Sequence, residues 1–145
     1  MSEKRPQTYA NHVKWVPLFH YVALPLLGIN LVLALFGLLD EITVATLNRV
    51  GVAVGLVLAL FFARVNALTA QDRVIRLEER MRMQRLLPDD LKPRIEEVTT
   101  AQCVALRFAS DEELPALVRR ALDEKADQKT IKQAIEHWRP DYQRV

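Results

Sequence analysis

The chain has 145 residues, half of them hydrophobic, with 20 Lys+Arg against 18 Asp+Glu. A formal charge of +2 leaves no basic surplus to displace the counterions condensed on a nucleic acid, so the balance argues against a nucleic-acid partner. The single cysteine, Cys103, excludes an internal disulfide and a cysteine-rich zinc site, and four glycines with seven prolines are too few for a low-complexity chain.

The charges are unevenly spread. Only Asp40, Glu41 and Arg49 interrupt residues 16–63, whereas residues 64–145 alternate freely between basic and acidic side chains. Residues 16–39 carry no formal charge. At about 1.5 Å per residue they cover roughly 36 Å, enough to cross a hydrocarbon core of about 30 Å. A cleaved secretory signal would have a shorter apolar run and a small-residue cleavage site, and this run ends in Leu38, Leu39, Asp40 and Glu41. The reading is a first transmembrane helix. Pro25 within it removes one backbone hydrogen bond and is expected to kink it.

The second span is bounded by Arg49 and Arg64. It reaches a full crossing if it starts near Ile42 or if Arg64 snorkels and the helix continues through Ala70. Lys4, Arg5 and Lys14 precede the first span, and Arg64, Arg73, Arg76, Arg80 and Arg82 follow the second. The connection offers only Arg49 against Asp40 and Glu41, so the positive-inside rule puts both termini in the cytoplasm. Trp15, Phe19 and Tyr21 at one end, and Phe61 and Phe62 at the matching end, suit an aromatic belt on that side.

Helices in lipid associate where small residues admit close backbone approach or polar groups bond across. Gly51, Gly55, Ala59, Ala63 and Ala67 recur every fourth residue on the second span. His20, Ala23, Leu27, Asn30, Ala34 and Gly37 form a complementary stripe on the first, and the two faces are expected to pack as an antiparallel hairpin. The small-residue face also suits a second copy of the chain. Asn30, mid-span, calls for a hydrogen-bonding partner on either; it could line a permeation path, but an interhelical bond accounts for it more simply. His20 reads as a headgroup-level histidine rather than a metal ligand, since His12 and His137 are not at ligand spacing to it.

No Gly or Pro occurs between Ala63 and Pro88, so the second span should run on as a helical stalk. Leu60, Ala63, Ala67, Ala70, Val74, Leu77 and Met81 keep the three-four spacing of a coiled-coil seam, which would hold either a second copy or the C-terminal helices. Arg73, Arg76, Arg80 and Arg82 are candidate lipid-headgroup contacts, although a topology signal and a solvated face account for them more simply. From Pro88 onward, Thr99 with Gln102 and Ser110 with Glu113 fit capping boxes. Asp127 can cap a last helix whose Ile131, Ile135 and Trp138 share one face, and no strand pattern appears. Pro115 falls awkwardly inside the helix that Ser110 would open. A module of this size has a marginal core and should lean on the stalk or the membrane.

The predicted organisation is all-α: a cytoplasmic segment 1–15, a transmembrane helix 16–39, an external loop 40–47, a second transmembrane helix 48–70, a stalk 71–87 and a cytoplasmic helical module 88–145. No phosphate loop, nucleophile elbow or zinc-binding helix motif occurs, and the pairs Asp89-Asp90 and Glu96-Glu97 and the run Asp111-Glu112-Glu113 sit near helix starts, where carboxylates are structural. No catalytic, cofactor-binding or metal residue is assigned. The expected role is a non-catalytic interaction or structural module, with membrane lipid and either a second copy or another protein as partner. The rival roles are a transporter or channel subunit and an anionic-lipid sensor.

Four blocks carry a family resemblance. They are Tyr9-Ala10-Asn11-His12 with Val16-Pro17-Leu18-Phe19-His20; Gln71-Asp72-Arg73-Val74-Ile75-Arg76-Leu77-Glu78; Leu106-Arg107-Phe108-Ala109-Ser110-Asp111 with Glu113-Leu114-Pro115; and the ending from Ile131-Lys132 through Trp138, Pro140-Asp141 and Arg144. In these the whole chain resembles an uncharacterised family of small bacterial membrane proteins, a domain of unknown function. The resemblance implies a bacterial inner-membrane protein with two spans and a helical cytoplasmic tail, and it implies no activity.

Overall fold

The computed structural model describes residues 6–11 and 15–141; Lys4, Arg5, His12, Lys14 and Arg144 lie outside them. The named elements of the described residues are all helices, and an isolated antiparallel bridge joins Ala109 and Trp138 in the non-helical connections. Two compact units are present: residues 15–67 form one, and residues 6–11 with 68–141 form the other.

In the first unit, a π-helical turn (Leu18–Ala23) leads into α1 (Leu24–Asp40). The wide turn sits just ahead of Pro25, and the Leu24 N–H donates to Phe19 O, five residues back. Proline at this point crowds the carbonyl four residues earlier, and the extra residue per turn relieves the crowding, so Pro25 acts through a local widening of the helix. At the other end, residues 41–43 make the connection to α2 (Val44–Leu86), so α2 begins inside the segment expected as loop 40–47. Two threonines set that start. The Thr43 hydroxyl accepts the Thr46 N–H at 3.2 Å, the Thr46 hydroxyl accepts the Thr43 N–H at 2.9 Å, and Thr46 Oγ1 donates to Glu41 O at 2.8 Å. This is a reciprocal cap in which threonine replaces the usual Glu or Gln. Leu18–Asp40 and the first half of α2 are long and apolar enough to cross a membrane, and almost none of their apolar stretch is buried within the chain.

In the second unit, α2 is one uninterrupted helix to Leu86, as the absence of Gly and Pro implies. It is followed by a 3-10 helix (Lys92–Glu97), α3 (Thr100–Leu106), α4 (Leu114–Asp123) and α5 (Gln128–Ala134). Met83, Leu91, Ile95, Val98, Leu106, Phe108, Leu114 and Val118 are fully buried and form one core with Leu87, Ile131 and Ile135. The small module thus completes its core with the end of α2. The capping box at Thr99 and Gln102 is present, and Asp127 accepts the Thr130 N–H at 2.7 Å.

Two details differ from expectation. Helix α4 starts at Leu114, so Pro115 falls in its first turn, where its missing N–H costs nothing. Ser110 Oγ accepts the Glu113 N–H at 3.3 Å, and the Glu113 carboxylate also accepts the N–H groups of Glu136 and His137 at 2.9 and 2.8 Å. Those bonds hold the chain just beyond α5, which ends at Ala134 with Ile135 extended. Trp138 therefore does not continue the helical face of Ile131 and Ile135. It reaches the core through the bridge to Ala109 and packs on Phe108 with ring centroids 5.0 Å apart.

Candidate functional site

The second half of α2 has one face committed to the module. Ile75, Glu79, Arg82, Met83 and Leu87 follow the helical period and are all buried. Arg82 is the polar centre of this face. Its Nε and Nη2 donate to Asp111 Oδ1 at 2.8 and 2.6 Å, Nη2 also donates to Ala109 O at 2.8 Å, and Nη1 donates to Glu79 Oε2 at 3.1 Å. A buried guanidinium needs this degree of satisfaction to offset its desolvation. Burial pushes the Glu79 carboxyl above its ordinary range, and the adjacent Arg82 charge and hydrogen bond, with Arg139, oppose the rise. Next to it, Arg80 pairs with Glu96 at 2.7 Å and donates to the Glu96 carbonyl.

These contacts correct one expectation. Arg82 is not a headgroup contact, because its charge is enclosed between α2 and the α3–α4 connection. Arg80 is half-buried and held by Glu96. Arg73 and Arg76 remain exposed. The four arginines look alike in sequence, and only the rotation of α2 against the module separates them.

The first unit corrects another expectation. Gly51, Gly55, Ala59 and Ala63 are exposed, and a methyl group added at Gly51 or Gly55 would meet nothing within 4 Å. Within the chain these residues are not the packing face. The face turned inward is Thr46, Val50, Ala53, Val57, Leu60 and Arg64, with Thr46 and Ala53 buried. The Thr43–Thr46 cap explains the rotation: bonding to Glu41 O faces Thr46 toward the connection, and residues three and four further on follow it. On the first span, His20, Ala23, Leu27, Leu31, Ala34 and Gly37 are half-buried, and Asn30 is exposed. His20 Nδ1 lies 2.9 Å from Val16 O and 3.2 Å from Val16 N, so the ring caps its own first turn. Phe19 and Arg64 meet in a cation–π contact at 5.6 Å, and a methyl group on Gly37 would lie 4.0 Å from the Arg49 guanidinium.

Several reactive groups in the module are buried or ion-paired. Cys103 is buried, and desolvation together with the nearby Glu79 charge pushes its thiol up to about 11, which keeps it protonated and unreactive at neutral pH. Asp89 pairs with Lys92, Asp90 with Arg119, Glu97 with Arg94 and Asp111 with Arg82. No group of His, Cys, Asp and Glu among the described residues could hold a metal ion. Gln102, inside α3, donates to the carbonyls of Ala121 and Ala126 at 3.1 Å each while its oxygen accepts the Thr99 N–H. Sequence reading found its cap role and missed its tie to α4.

The protein so defined is an all-helical chain with two apolar helices of membrane-crossing length and a module built on the end of the second. It belongs to a family of unknown function (DUF6526), whose model matches residues 1–145. Comparison with curated proteins and with solved structures gives no match.

Proposed function

We propose that this is an integral inner-membrane protein of bacterial type whose first span and the first half of α2 cross the bilayer as an antiparallel hairpin. Both termini lie in the cytoplasm, and the C-terminal helices form a non-catalytic docking module at the membrane surface. The observation that carries the reading is a contrast in burial. The apolar spans bury almost nothing in the chain, whereas the module and the end of α2 share a fully buried apolar core. So much exposed apolar surface in an isolated chain needs lipid around it.

Two contacts support the hairpin. Phe19 meets Arg64, and Gly37 lies near Arg49, as antiparallel neighbours require. A third supports same-side termini. Gln7, ahead of the first span, donates from Nε2 to Asp141 O at 3.0 Å and accepts the Asp141 N–H at 2.8 Å, so chain from before and after the spans meets in one unit. The Lys/Arg bias then assigns that side to the cytoplasm. The lipid-sensor alternative retains Arg73 and Arg76, at about 1 kcal/mol each when close to anionic lipid.

Washing membranes with alkaline carbonate tests the anchor. The chain should stay with the bilayer and leave it only in detergent; release by carbonate would contradict the proposal.

A further inference from the structure

The stalk half of α2 carries a second apolar face that the module leaves open. Ala70, Val74, Leu77 and Met81 recur in steps of four, three and four residues, and Val74, Leu77 and Met81 are 54%, 60% and 55% exposed. The C-terminal helices, which the same spacing could have served, share a core instead with Met83 and Leu87. The open stripe has the three-four period of a coiled-coil seam.

We propose that this face is the seam of a parallel pair of stalks contributed by two copies of the chain in one membrane. The pairing rests on the anchored reading above, which brings two copies together parallel and level. The flanking charges identify the occupant. With Val74 and Met81 at the a positions and Ala70 and Leu77 at d, Arg73 falls at g and Glu78 at the following e. In a parallel pair these two positions face each other across the seam, so each exposed Arg73 meets an exposed Glu78 of the other copy, twice by symmetry. The next g–e pair would be Arg80 with Arg85, but Arg80 is already neutralised by Glu96 at 2.7 Å in its own chain. An anionic lipid surface fits less well, because Glu78 beside the apolar centre would be repelled. The seam is short for a free coiled coil, and confinement of both copies to one bilayer supplies the effective concentration that makes up for it.

The test places cysteines at Val74 and Leu77, one at a time, with Lys129→Cys on α5 as control, and cross-links native membranes with a short bis-maleimide. The wild-type Cys103 is buried and serves as the silent background. Covalent dimers should form from Val74→Cys and Leu77→Cys and not from the control. Arg73→Glu or Glu78→Arg alone should lower the dimer yield several-fold, and the two together should restore it. Absence of dimer at both seam positions, in a chain that carbonate does not release, would overturn the pairing and leave the anchor standing. Dimers indifferent to the single reversals, or a cross-link to a different protein instead, would also overturn it. Release by carbonate would sink the anchor and the level pairing with it.

Discussion

Arg82 and Asp111 are joined through two guanidinium nitrogens on one carboxylate oxygen, at 2.8 and 2.6 Å, and this pair ties α2 to the α3–α4 connection. The arginine side chain is buried and the carboxylate is more than half exposed, so the two partners are unequal in what their loss would do. Arg82→Ala strands Glu79, a buried carboxylate, without its cation. The module should lose about 3–5 kcal/mol, the cost of breaking a buried pair on one side. Asp111→Asn keeps an acceptor at the surface and should cost no more than about 1 kcal/mol. Denaturant unfolding of the detergent-solubilised protein measures both, and equal losses would contradict the asymmetry.

The pH dependence of the module should contain two opposed contributions. Burial raises the Glu79 pKa above 4.5, so the folded state holds that proton more tightly than the unfolded chain. Its contribution to stability is greatest in acid and is lost as pH rises from 4.5 through the folded value. Glu113 runs the other way. Burial alone would raise its pKa, but the N–H bonds from Glu136, His137 and Ser110 outweigh burial and bring it below 4.5. Its contribution is present above 4.5 and is lost as pH falls through the lower folded value. Melting temperatures followed from neutral to acidic pH should therefore show Glu113→Gln removing part of the acid loss, and Glu79→Gln flattening the decline above 4.5.

Gln102→Leu should destabilise the module although it adds apolar volume. It leaves the Ala121 and Ala126 carbonyls without the amide and opens the Thr99 cap, at about 1–3 kcal/mol for a buried group left unpaired. Thr99→Ala, which removes the cap alone, should cost about 1 kcal/mol. Comparing the two unfolding curves checks that the tie to α4 outweighs the cap.

Gly51→Ala and Gly55→Ala should leave the monomer's fold intact, since each added methyl meets open space. Ala53→Leu, at a fully buried position, should disturb it by about 1–3 kcal/mol through overpacking. Thermal stability in detergent separates the two faces of α2; destabilisation by the glycine substitutions and tolerance at Ala53 would restore the small-residue face as the within-chain contact.

Local signals in the sequence carried most of the fold. The caps at Thr99 and Asp127 lie within three residues of the groups they bind, and the uninterrupted α2 follows from absent helix breakers. Long-range partners were not legible. Nothing local distinguishes Arg82 from Arg73, because their difference is the position of Asp111, which only folding brings near. The inward face of α2 was likewise hidden: glycine and alanine every fourth residue is a conspicuous pattern, but the Thr43–Thr46 cap fixes the rotation, and its T-x-x-T spacing is a less familiar sign of a helix start. Trp138 kept the helical period after the helix had ended, since Glu113 holds the backbone beyond Ala134 in an extended path.

The central claim is that the chain crosses the bilayer twice and returns to the side it started from. Single cysteines at Thr8, Glu41 and Glu112, all exposed, can be challenged in sealed inside-out and right-side-out vesicles with a membrane-impermeant maleimide, the buried Cys103 remaining silent. The account predicts that Thr8→Cys and Glu112→Cys label only from the cytoplasmic side and Glu41→Cys only from the other. Labelling of Thr8→Cys and Glu112→Cys from opposite sides, or of all three from the same side, would contradict it.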